Sequence, residues 1–258
     1  KWPKNPKYIF TSISHYFDEI FKFYAAEKVE EGIPYYLGQH GNGYCTFRYF
    51  GKLTEVYTSD KFLAWGRSGI SKNSVKLFNF RKPKNKNKTK ISKSGILLVT
   101  ESAEDITSLF SPLYDYQNEK FIFLSNFVKS LNDKLRNQIT VRLYHDDTNN
   151  FCFEEKKWKE LDPLINLDLR HQSLRTMISN SRILVFGYDS TGFLEAVSQN
   201  IPVLLYFHEK NFEKMLNDEV IEDFLKLKKA KVLINDPKEL ADHITNIWQD
   251  INYWWESK

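Results

Sequence analysis

The stretch "FGYDSTGFLEAVSQNIPVLLYF" (residues 186–207) joins one apolar strand to a helix and then to a second apolar strand. The two flanking runs, 182–188 and 202–207, are continuously apolar, which is typical of strands buried on both faces of a parallel sheet. A small polar turn, 189–192, separates the first strand from the helix. The stretch therefore predicts one crossover unit of a parallel α/β sheet, with polar residues where the strand ends.

The same alternation of strands and helices extends in both directions from this stretch. Further predicted strands lie at 8–14, 33–40, 62–66, 75–80, 95–101, 139–145 and 231–235. Further helices are predicted at 115–137, 173–180, 211–229 and 238–251, and at 17–32, where Phe17, Ile20, Phe21, Tyr24 and Ala25 form the predicted buried face. We therefore expect an α/β fold with two parallel-sheet units, whose ligand lies at the carboxyl ends of the strands, in the cleft between the units.

The positive charge of the chain is concentrated in one segment. Residues 81–94 hold seven Lys and Arg and no acid, whereas the rest of the chain carries 30 basic against 33 acidic residues. Such a segment predicts a solvated linker, and the alternative is contact with an anionic membrane or a nucleic acid. We favour the linker, which divides the chain into units 1–80 and 95–258, and we expect no nucleic-acid partner.

The composition predicts a globular chain without a membrane span. Hydrophobic residues make up 41% of the 258 residues, and no apolar run approaches the roughly 20 residues that cross a bilayer. Cys45 and Cys152 are the only cysteines, which suits a reducing compartment. We expect a cytoplasmic location, at most peripheral to the inner membrane through 81–94. Because the sequence begins with Lys1 rather than Met, we also expect a piece of a longer chain.

The polar turn before the helix is the first candidate ligand site. The first N–H groups of a helix lack partners within it and lie at its positive end, so they bind anions. Ser190 and Thr191 add hydroxyl donors, Gly192 allows close backbone approach, and Glu195 could accept from a sugar hydroxyl. The alternative is plain helix capping by Asp189 or Ser190, and the pattern favours neither.

The segment "LGQHGNGY" supplies a candidate base, His40. A neutral imidazole can accept a proton, and Gly41 and Gly43 remove side chains that would obstruct a substrate. Asp18 or Glu19, after the first strand, could supply a catalytic carboxylate partner. The structural alternatives are a surface histidine and acids that favour the helix dipole.

A second pair of phosphate candidates ends the predicted strand at 139–145. Arg142 and His145 can both contact a phosphate. The alternative is that Arg142 is a surface charge and that Asp146 and Asp147 only form a turn.

The motifs of common metal and cofactor sites are missing from the sequence. The six histidines are dispersed, neither cysteine has a second one nearby, and there is no P-loop, G-x-G-x-x-G or G-x-S-x-G motif. We therefore expect no metal and no resident cofactor, and we disfavour ATP hydrolysis and dinucleotide binding.

Two stretches together resemble a known family: "FTSISHYFDEIFKFYAAEKVEEGIPYYLGQHGNGY" and "ILVFGYDSTGFLEAVSQNIPVLLYF". They resemble transferases encoded in bacterial O-antigen and surface-polysaccharide clusters, whose members look like GT-B glycosyltransferases. The likeness runs from about Tyr8 to Phe207. It implies two Rossmann-like units, the C-terminal one binding a nucleotide donor. A GT-B enzyme normally has a full N-terminal acceptor domain, and residues 1–80 supply about half of one, so we expect that unit to be incomplete.

The CDP-glycerol glycerophosphotransferases are a more distant resemblance. They carry a His-Gly pair after a strand, matched here by His40 and Gly41, and a Ser turn followed by an acid and a Pro. Ser190, Glu195 and Pro202 reproduce that second spacing. The resemblance implies that His40 is the base and that the Ser-Thr turn binds donor phosphate.

Kdo transferases and bacterial sialyltransferases use a His-Pro motif at a strand end for the CMP phosphate. His145 has a similar place, although Asp146 follows it where that motif has Pro. The resemblances imply a glycosyltransferase that moves a sugar from a nucleotide donor, for example CMP-Kdo, to a surface polysaccharide or O-antigen acceptor without a metal. The alternatives are a CDP-polyol phosphotransferase and a non-catalytic module that binds nucleotides or glycans.

Overall fold

The computed structural model describes residues 2–44, 46–48, 54–66, 71–77, 94–100, 113–143, 154–169, 171–207 and 212–257, with only the backbone of 113–118. The chain divides into two compact units. Unit 1 is Lys1–Pro83 with Glu213–Ile221, and unit 2 is Lys84–Phe212 with Glu222–Lys258. Except for its last residue, the predicted linker 81–94 lies outside the described residues, so the boundaries drawn from it stay predictions.

Unit 1 is built on a parallel sheet of four strands in the order β1-β2-β3-β4. The strands are β1 (Ile9–Thr11), β2 (Tyr35–Gly38), β3 (Lys61–Trp65) and β4 (Ser74–Leu77), and the helices are α1 (Ser14–Phe17), α2 (Glu19–Glu30) and α3 (Thr54–Thr58). The segment Glu213–Ile221 joins this unit through an antiparallel bridge between Phe47 and Leu216. The backbone N–H of Asn217 also donates to the carbonyl oxygen of Thr46 at 2.8 Å.

The predicted buried face of the first helix is wrong in its first turn. The structure breaks the expected helix at Asp18, which is extended and caps α2. Phe17 is the last residue of α1 and therefore precedes α2. The side chains of Phe17 and Ile20 are 81% and 73% exposed. Phe21 and Ala25 are buried as predicted, in a core with strand residues of β1 and β2.

Unit 2 is built on a parallel sheet of six strands in the order β10-β9-β8-β5-β6-β7. These strands are β5 (Ile96–Val99), β6 (Ile139–Arg142), β7 (Asn166–Asp168), β8 (Ile183–Phe186), β9 (Val203–Tyr206) and β10 (Leu233–Ile234). The helices of unit 2 are α4 (Leu113–Ser130), α5 (Asp133–Arg136), α6 (Glu154–Leu161), α7 (Leu174–Asn180), α8 (Thr191–Ser198), α10 (Pro237–Ile247) and α11 (Ile251–Glu256). A 3-10 helix at Phe212–Met215 and α9 (Asp218–Lys229) cross the boundary, because Glu213–Ile221 belongs to unit 1. Every residue of β5, β8 and β9 is buried, as their apolar runs predict.

The strand order of unit 2 produces a crevice at one edge of its sheet. Counted within the unit, the order is 3-2-1-4-5-6, the doubly wound arrangement of Rossmann folds. Connections leave β5 and β8 in opposite directions, which opens a crevice at the carboxyl ends of these two strands. The turn before α8 follows β8 directly, so it lies at this crevice.

Five elements were not predicted: α1, α3, α6, α11 and β7. They are short, so periodicity gives little signal for them. No helix within the described residues is long and apolar enough to cross a membrane.

Candidate functional site

His40 lies in the loop that follows β2, at the carboxyl end of the unit 1 sheet. The buried side chain of Gln39 fastens this loop: its Nε2 donates to the carbonyl oxygen of Gly41 at 2.7 Å, and its Oε1 accepts from the backbone N–H of Trp65 at 2.8 Å. Trp65 is the last residue of β3. Gly43 has a φ of +99°, which favours glycine at this position. The loop that carries His40 is therefore held against the neighbouring strand β3.

A chain of hydrogen bonds leads from His40 to a buried carboxylate. Nδ1 of His40 lies 2.5 Å from the hydroxyl oxygen of Tyr44, which lies 3.2 Å from the hydroxyl oxygen of Tyr16. Tyr16 in turn donates to Oε1 of Glu55, which is only 3% exposed. The two tyrosine rings meet the imidazole edge to face at centroid distances of 5.5 and 5.4 Å. Residues from α1, the His40 loop and α3 thus form one polar network.

The network keeps its phenols neutral. Burial raises the pKa of Tyr16 to about 12, and the hydrogen bond to Glu55 raises it as well. Burial also raises the pKa of Tyr44, with a further contribution from Tyr16. Both tyrosines therefore keep their protons near neutral pH and serve as donors.

His15 lies beside this network as a second imidazole. Its ring packs on Tyr16 at a centroid distance of 4.1 Å, and both ring nitrogens are buried with no hydrogen-bond partner among the described residues. Burial lowers the pKa of His15, the charge of Glu55 opposes this, and the charge of His40 adds to it. His15 is therefore held in its neutral form.

The two carboxylates proposed to act with His40 have other partners. Asp18 is the N-cap of α2, and its Oδ1 accepts from the backbone N–H of Phe21 at 2.9 Å. Glu19 forms an exposed ion pair with Lys22 at 2.6 Å. Among the described residues, no hydrogen bond joins either carboxylate to His40. The partners of Asp18 and Glu19 match the structural roles that the sequence left as alternatives, and their catalytic role stays a prediction.

In unit 2, Ser190 is the N-cap of α8. Its Oγ accepts from the backbone N–H of Phe193 at 3.1 Å. Gly192 is needed for packing, because a Cβ there would lie 2.9 Å from the ring of Phe186 and 3.2 Å from Cδ2 of Leu174. The glycine thus lets the first turn of α8 lie close to the end of β8. Thr191 and Glu195, on the same helix, are half-buried.

Arg142 forms a buried ion pair rather than a surface charge. Its Nη1 donates to Oδ2 of Asp168 and to the carbonyl oxygen of Gln172 at 2.9 Å, and it contacts Sδ of Met177 at 3.3 Å. These contacts tie the end of β6 to the end of β7. We therefore leave Arg142 out of the candidate donor site. His145, Asp146 and Asp147 lie outside the described residues.

Within the described ranges, no group of three or more His, Cys, Asp or Glu residues could hold a metal ion. The residues that the sequence missed are Gln39, Tyr16, Tyr44 and Glu55. Gln39 and Tyr44 belong to the "LGQHGNGY" segment and could have been considered with His40. Glu55 gives no local signal, since only the fold brings it to Tyr16.

Solved structures share the fold of the chain. The chain is similar to MnaA of S. aureus, solved with UDP, at 13% identity over 97% of this chain and 68% of that chain, with a TM-score of 0.50. It also matches MurG of Acinetobacter baumannii at 8% identity over 91% of this chain and 63% of that chain, with a TM-score of 0.47. The spinosyn rhamnosyltransferase SpnG matches at 9% identity over 87% and 61%, with a TM-score of 0.47.

The chain therefore spans about two thirds of the length of these proteins. The likeness to MnaA concerns the fold, and it confirms the predicted GT-B-like α/β fold with two parallel-sheet units. No curated protein matches the chain significantly. The model of the family described as "LIC12162 family transferase" matches residues 1–258. The chain belongs to the LIC12162 family of transferases.

Proposed function

We propose that the chain is part of a GT-B-type glycosyltransferase that takes a sugar from a nucleotide donor. The observation that carries this proposal is the position of the first turn of α8, at the crevice where the strand order of the unit 2 sheet reverses. Ligands of open α/β sheets bind at such crevices, and helix N-termini there bind phosphates. Membership of a transferase family gives the reaction class.

The proposed donor site consists of Ser190, Thr191, Gly192 and Glu195. The N–H groups at the start of α8 face the negative charge that develops on the departing phosphate, and the two hydroxyls can donate to the same oxygens. Glu195 accepts from sugar hydroxyls. This arrangement needs no metal for departure of the phosphate, and we propose that none is used.

The proposed base is His40, which takes the proton of the acceptor hydroxyl as that oxygen attacks the sugar. Its loop is held by Gln39, and its Nδ1 contacts the hydroxyl oxygen of Tyr44, which orients the imidazole. Gly41 and Gly43 leave space for an acceptor next to the ring. The resemblance to O-antigen cluster transferases supports a bacterial surface glycan as that acceptor.

The donor proposed from the resemblances is a cytidine nucleotide sugar such as CMP-Kdo. A CDP-polyol donor is the second candidate, because His40 with Gly41 and Ser190 with Glu195 and Pro202 match the glycerophosphotransferase pattern. Both schemes release CMP, because a CDP-polyol phosphotransferase transfers the polyol with one phosphate and leaves CMP behind. Donor specificity must therefore be measured with the intact activated donors.

Calorimetric titration with CMP, CDP, UDP and GDP tests the donor site. The wild-type chain should bind a cytidine nucleotide, and the double variant Ser190→Ala with Thr191→Ala should bind it at least about 10-fold more weakly, since it loses two hydrogen bonds to a charged group. The matched control is Ser173→Ala with Thr176→Ala. Ser173 caps α7 as Ser190 caps α8, with its Oγ accepting from the backbone N–H of Thr176 at 3.1 Å.

Both double variants lose a helix cap, so both should lose roughly 1 kcal/mol of stability. Only the α8 variant should lose nucleotide affinity. Equal nucleotide affinity of the α8 variant and the wild type would contradict the proposal that the donor phosphate binds at this turn. Absence of binding by any nucleotide would favour a module without donor chemistry.

Peripheral membrane contact through 81–94 is a separate part of the proposal. It rests on the basic charge of that segment. Anionic vesicles should retain the chain and neutral vesicles should not, because a basic segment is attracted to anionic lipid. The measurement is made at low salt, because salt screens this attraction. Equal retention by both would dismiss the electrostatic contact.

A further inference from the structure

The carboxylate of Glu55 is buried at the far end of the hydrogen-bond chain that begins at His40. A buried carboxylate costs free energy unless it is hydrogen-bonded, and a hydrophobic side chain would fill the same volume without that cost. Tyr16 supplies a hydrogen bond to Glu55, and the first turn of α3 favours its negative charge. The charge is therefore tolerated here, which raises the question of what it does.

The acceptor at the end of the chain fixes the direction of every proton along it. A carboxylate only accepts, so Tyr16 donates its proton to Glu55. Each phenol has one proton, so Tyr44 must supply the proton of the 3.2 Å hydrogen bond between the two hydroxyl oxygens. Toward His40 the oxygen of Tyr44 is then an acceptor. Nδ1 of His40 therefore carries a proton and donates it across the 2.5 Å contact.

We infer that Glu55, acting through Tyr16 and Tyr44, holds His40 in the tautomer with a proton on Nδ1 and a lone pair on Nε2. The tautomer of a neutral imidazole is set by the hydrogen bond that its other nitrogen makes. Glu55, Tyr16 and Tyr44 are positioning residues, since they act through His40. The catalytic consequence rests on the proposed base role of His40, whereas the tautomer is a property of the protein without any substrate.

In the proposed reaction, Nε2 takes the proton of the acceptor hydroxyl. The oxygen of that hydroxyl forms the new bond to the sugar, the bond from the sugar to the donor phosphate breaks, and its electron pair leaves with the phosphate. The imidazolium that results still donates from Nδ1 to Tyr44. The carboxylate of Glu55 lies at the opposite end of the hydrogen-bond chain, and its negative charge stabilises the positive charge of the imidazolium.

Several ionisable groups surround this hydrogen-bond chain in the described part of unit 1. α1 contributes His15 and Tyr16, α2 contributes Lys22, and α3 contributes Glu55. Lys22 acts on His15 and is paired with Glu19. Since burial keeps His15 neutral, the charges that respond to proton transfer at His40 are the imidazolium and the carboxylate of Glu55.

The tautomer can be measured directly by NMR of the chain labelled with 15N-histidine, without substrate. The 15N shift distinguishes a protonated ring nitrogen from one with a lone pair, and a His40→Asn variant identifies the His40 signals among the six histidines. In the neutral imidazole of the wild type, we expect the proton on Nδ1. A proton on Nε2 would overturn the inference, whatever the variants do.

Two variants test the contribution of the hydrogen-bond chain to the protonation of His40. Tyr44→Phe removes the acceptor for Nδ1, so part of the His40 population should move to the Nε2–H tautomer. Glu55→Gln keeps an acceptor oxygen for Tyr16 but removes the charge, so the titration midpoint of His40 should move to lower pH. The control Tyr24→Phe removes an exposed hydroxyl that binds the carbonyl oxygen of Pro3, and His40 should not respond. A His40 that is unchanged by both test variants would contradict the inference.

Turnover separates this inference from the proposed function. If His40 is the base, Tyr44→Phe should lower kcat about 10- to 100-fold with KM unchanged, a fraction of what a general base contributes. A fully active Tyr44→Phe variant with the altered tautomer would refute the base role and leave the tautomer assignment standing. A wild type with its proton on Nε2, together with an inactive His40→Ala variant, would refute the assignment and leave the base role standing.

Discussion

The two candidate regions of the molecule are built from different kinds of groups. Around His40, the structure joins ionisable side chains in a row, with two phenols whose pKa values are raised and a buried carboxylate. Around α8, a capped helix start packs on an apolar strand, with Gly192 against Phe186. The first arrangement suits proton transfer, and the second suits binding of an anion by backbone groups.

Substitutions in the two regions should therefore affect different measurements. A substitution in the His40 region should change turnover and its dependence on pH. A substitution at α8 should change affinity and stability. Kinetics, calorimetry and unfolding measurements can separate the two regions.

His40→Ala should lower kcat/KM by about 10²–10⁴-fold, the usual contribution of a general base. Nucleotide affinity should not change, because the donor site is proposed on another unit. Steady-state kinetics and calorimetric titration of the same preparation measure both quantities. Retained turnover would remove His40 from the mechanism, and lost affinity would contradict the division between the regions.

Arg142→Met should lower the free energy of unfolding by about 3–5 kcal/mol, because it leaves the buried carboxylate of Asp168 without its ion-pair partner. Urea unfolding measures this loss. The nucleotide affinity of the folded protein should stay the same. A stable Arg142→Met variant with weakened nucleotide binding would return Arg142 to the donor site.

Gly192→Ala should lower the free energy of unfolding by about 1–3 kcal/mol, since the added methyl group overpacks the contact with Phe186 and Leu174. The control is Gly66→Ala. In the part of the chain that the structure describes, a Cβ at Gly66 meets nothing within 4 Å, and the φ of +79° makes any loss there one of backbone strain. Crystal structures of the two variants would show displacement of the Phe186 ring only in Gly192→Ala. An undisplaced ring would contradict the packing role.

His15 should give the smallest effect, a dependence of stability on pH. Burial holds its folded-state pKa below the usual 6.5, so the unfolded chain binds more protons between these two values. The contribution of His15 to stability is therefore present above pH 6.5 and is lost as the pH falls toward the folded-state value. His15→Phe keeps a ring against Tyr16 and should flatten this slope in urea unfolding measured across that range. An unchanged slope would assign the dependence to other groups.

The sequence predicts the parts of the site that follow from local pattern. The turn before α8, its Ser190 cap and the loop of His40 all come from residues that are adjacent in the chain, and all three lie where the strand pattern places them. The unit 2 strands were predictable because continuous apolar runs indicate a sheet covered on both faces.

The remaining features depend on contacts between distant residues. Phe17 was placed in the core because the apolar spacing continues through it, but the Asp18 cap starts the helix later. Glu55 meets Tyr16 across 39 positions of sequence, and no periodicity reports such a contact. Arg142 gave no sign of its partner, because Asp168 belongs to a three-residue strand that the pattern did not reveal.

The central claim is that a cytidine nucleotide binds at the start of α8. NMR of the chain labelled with 15N-glycine tests it directly, since the ten glycines report both regions at once. Addition of CMP or CDP should shift the amide signal of Gly192 and leave that of Gly32, which follows α2 of unit 1, unchanged. An unshifted Gly192 signal at saturating nucleotide would contradict the account, and the turn before α8 would then be a helix cap alone.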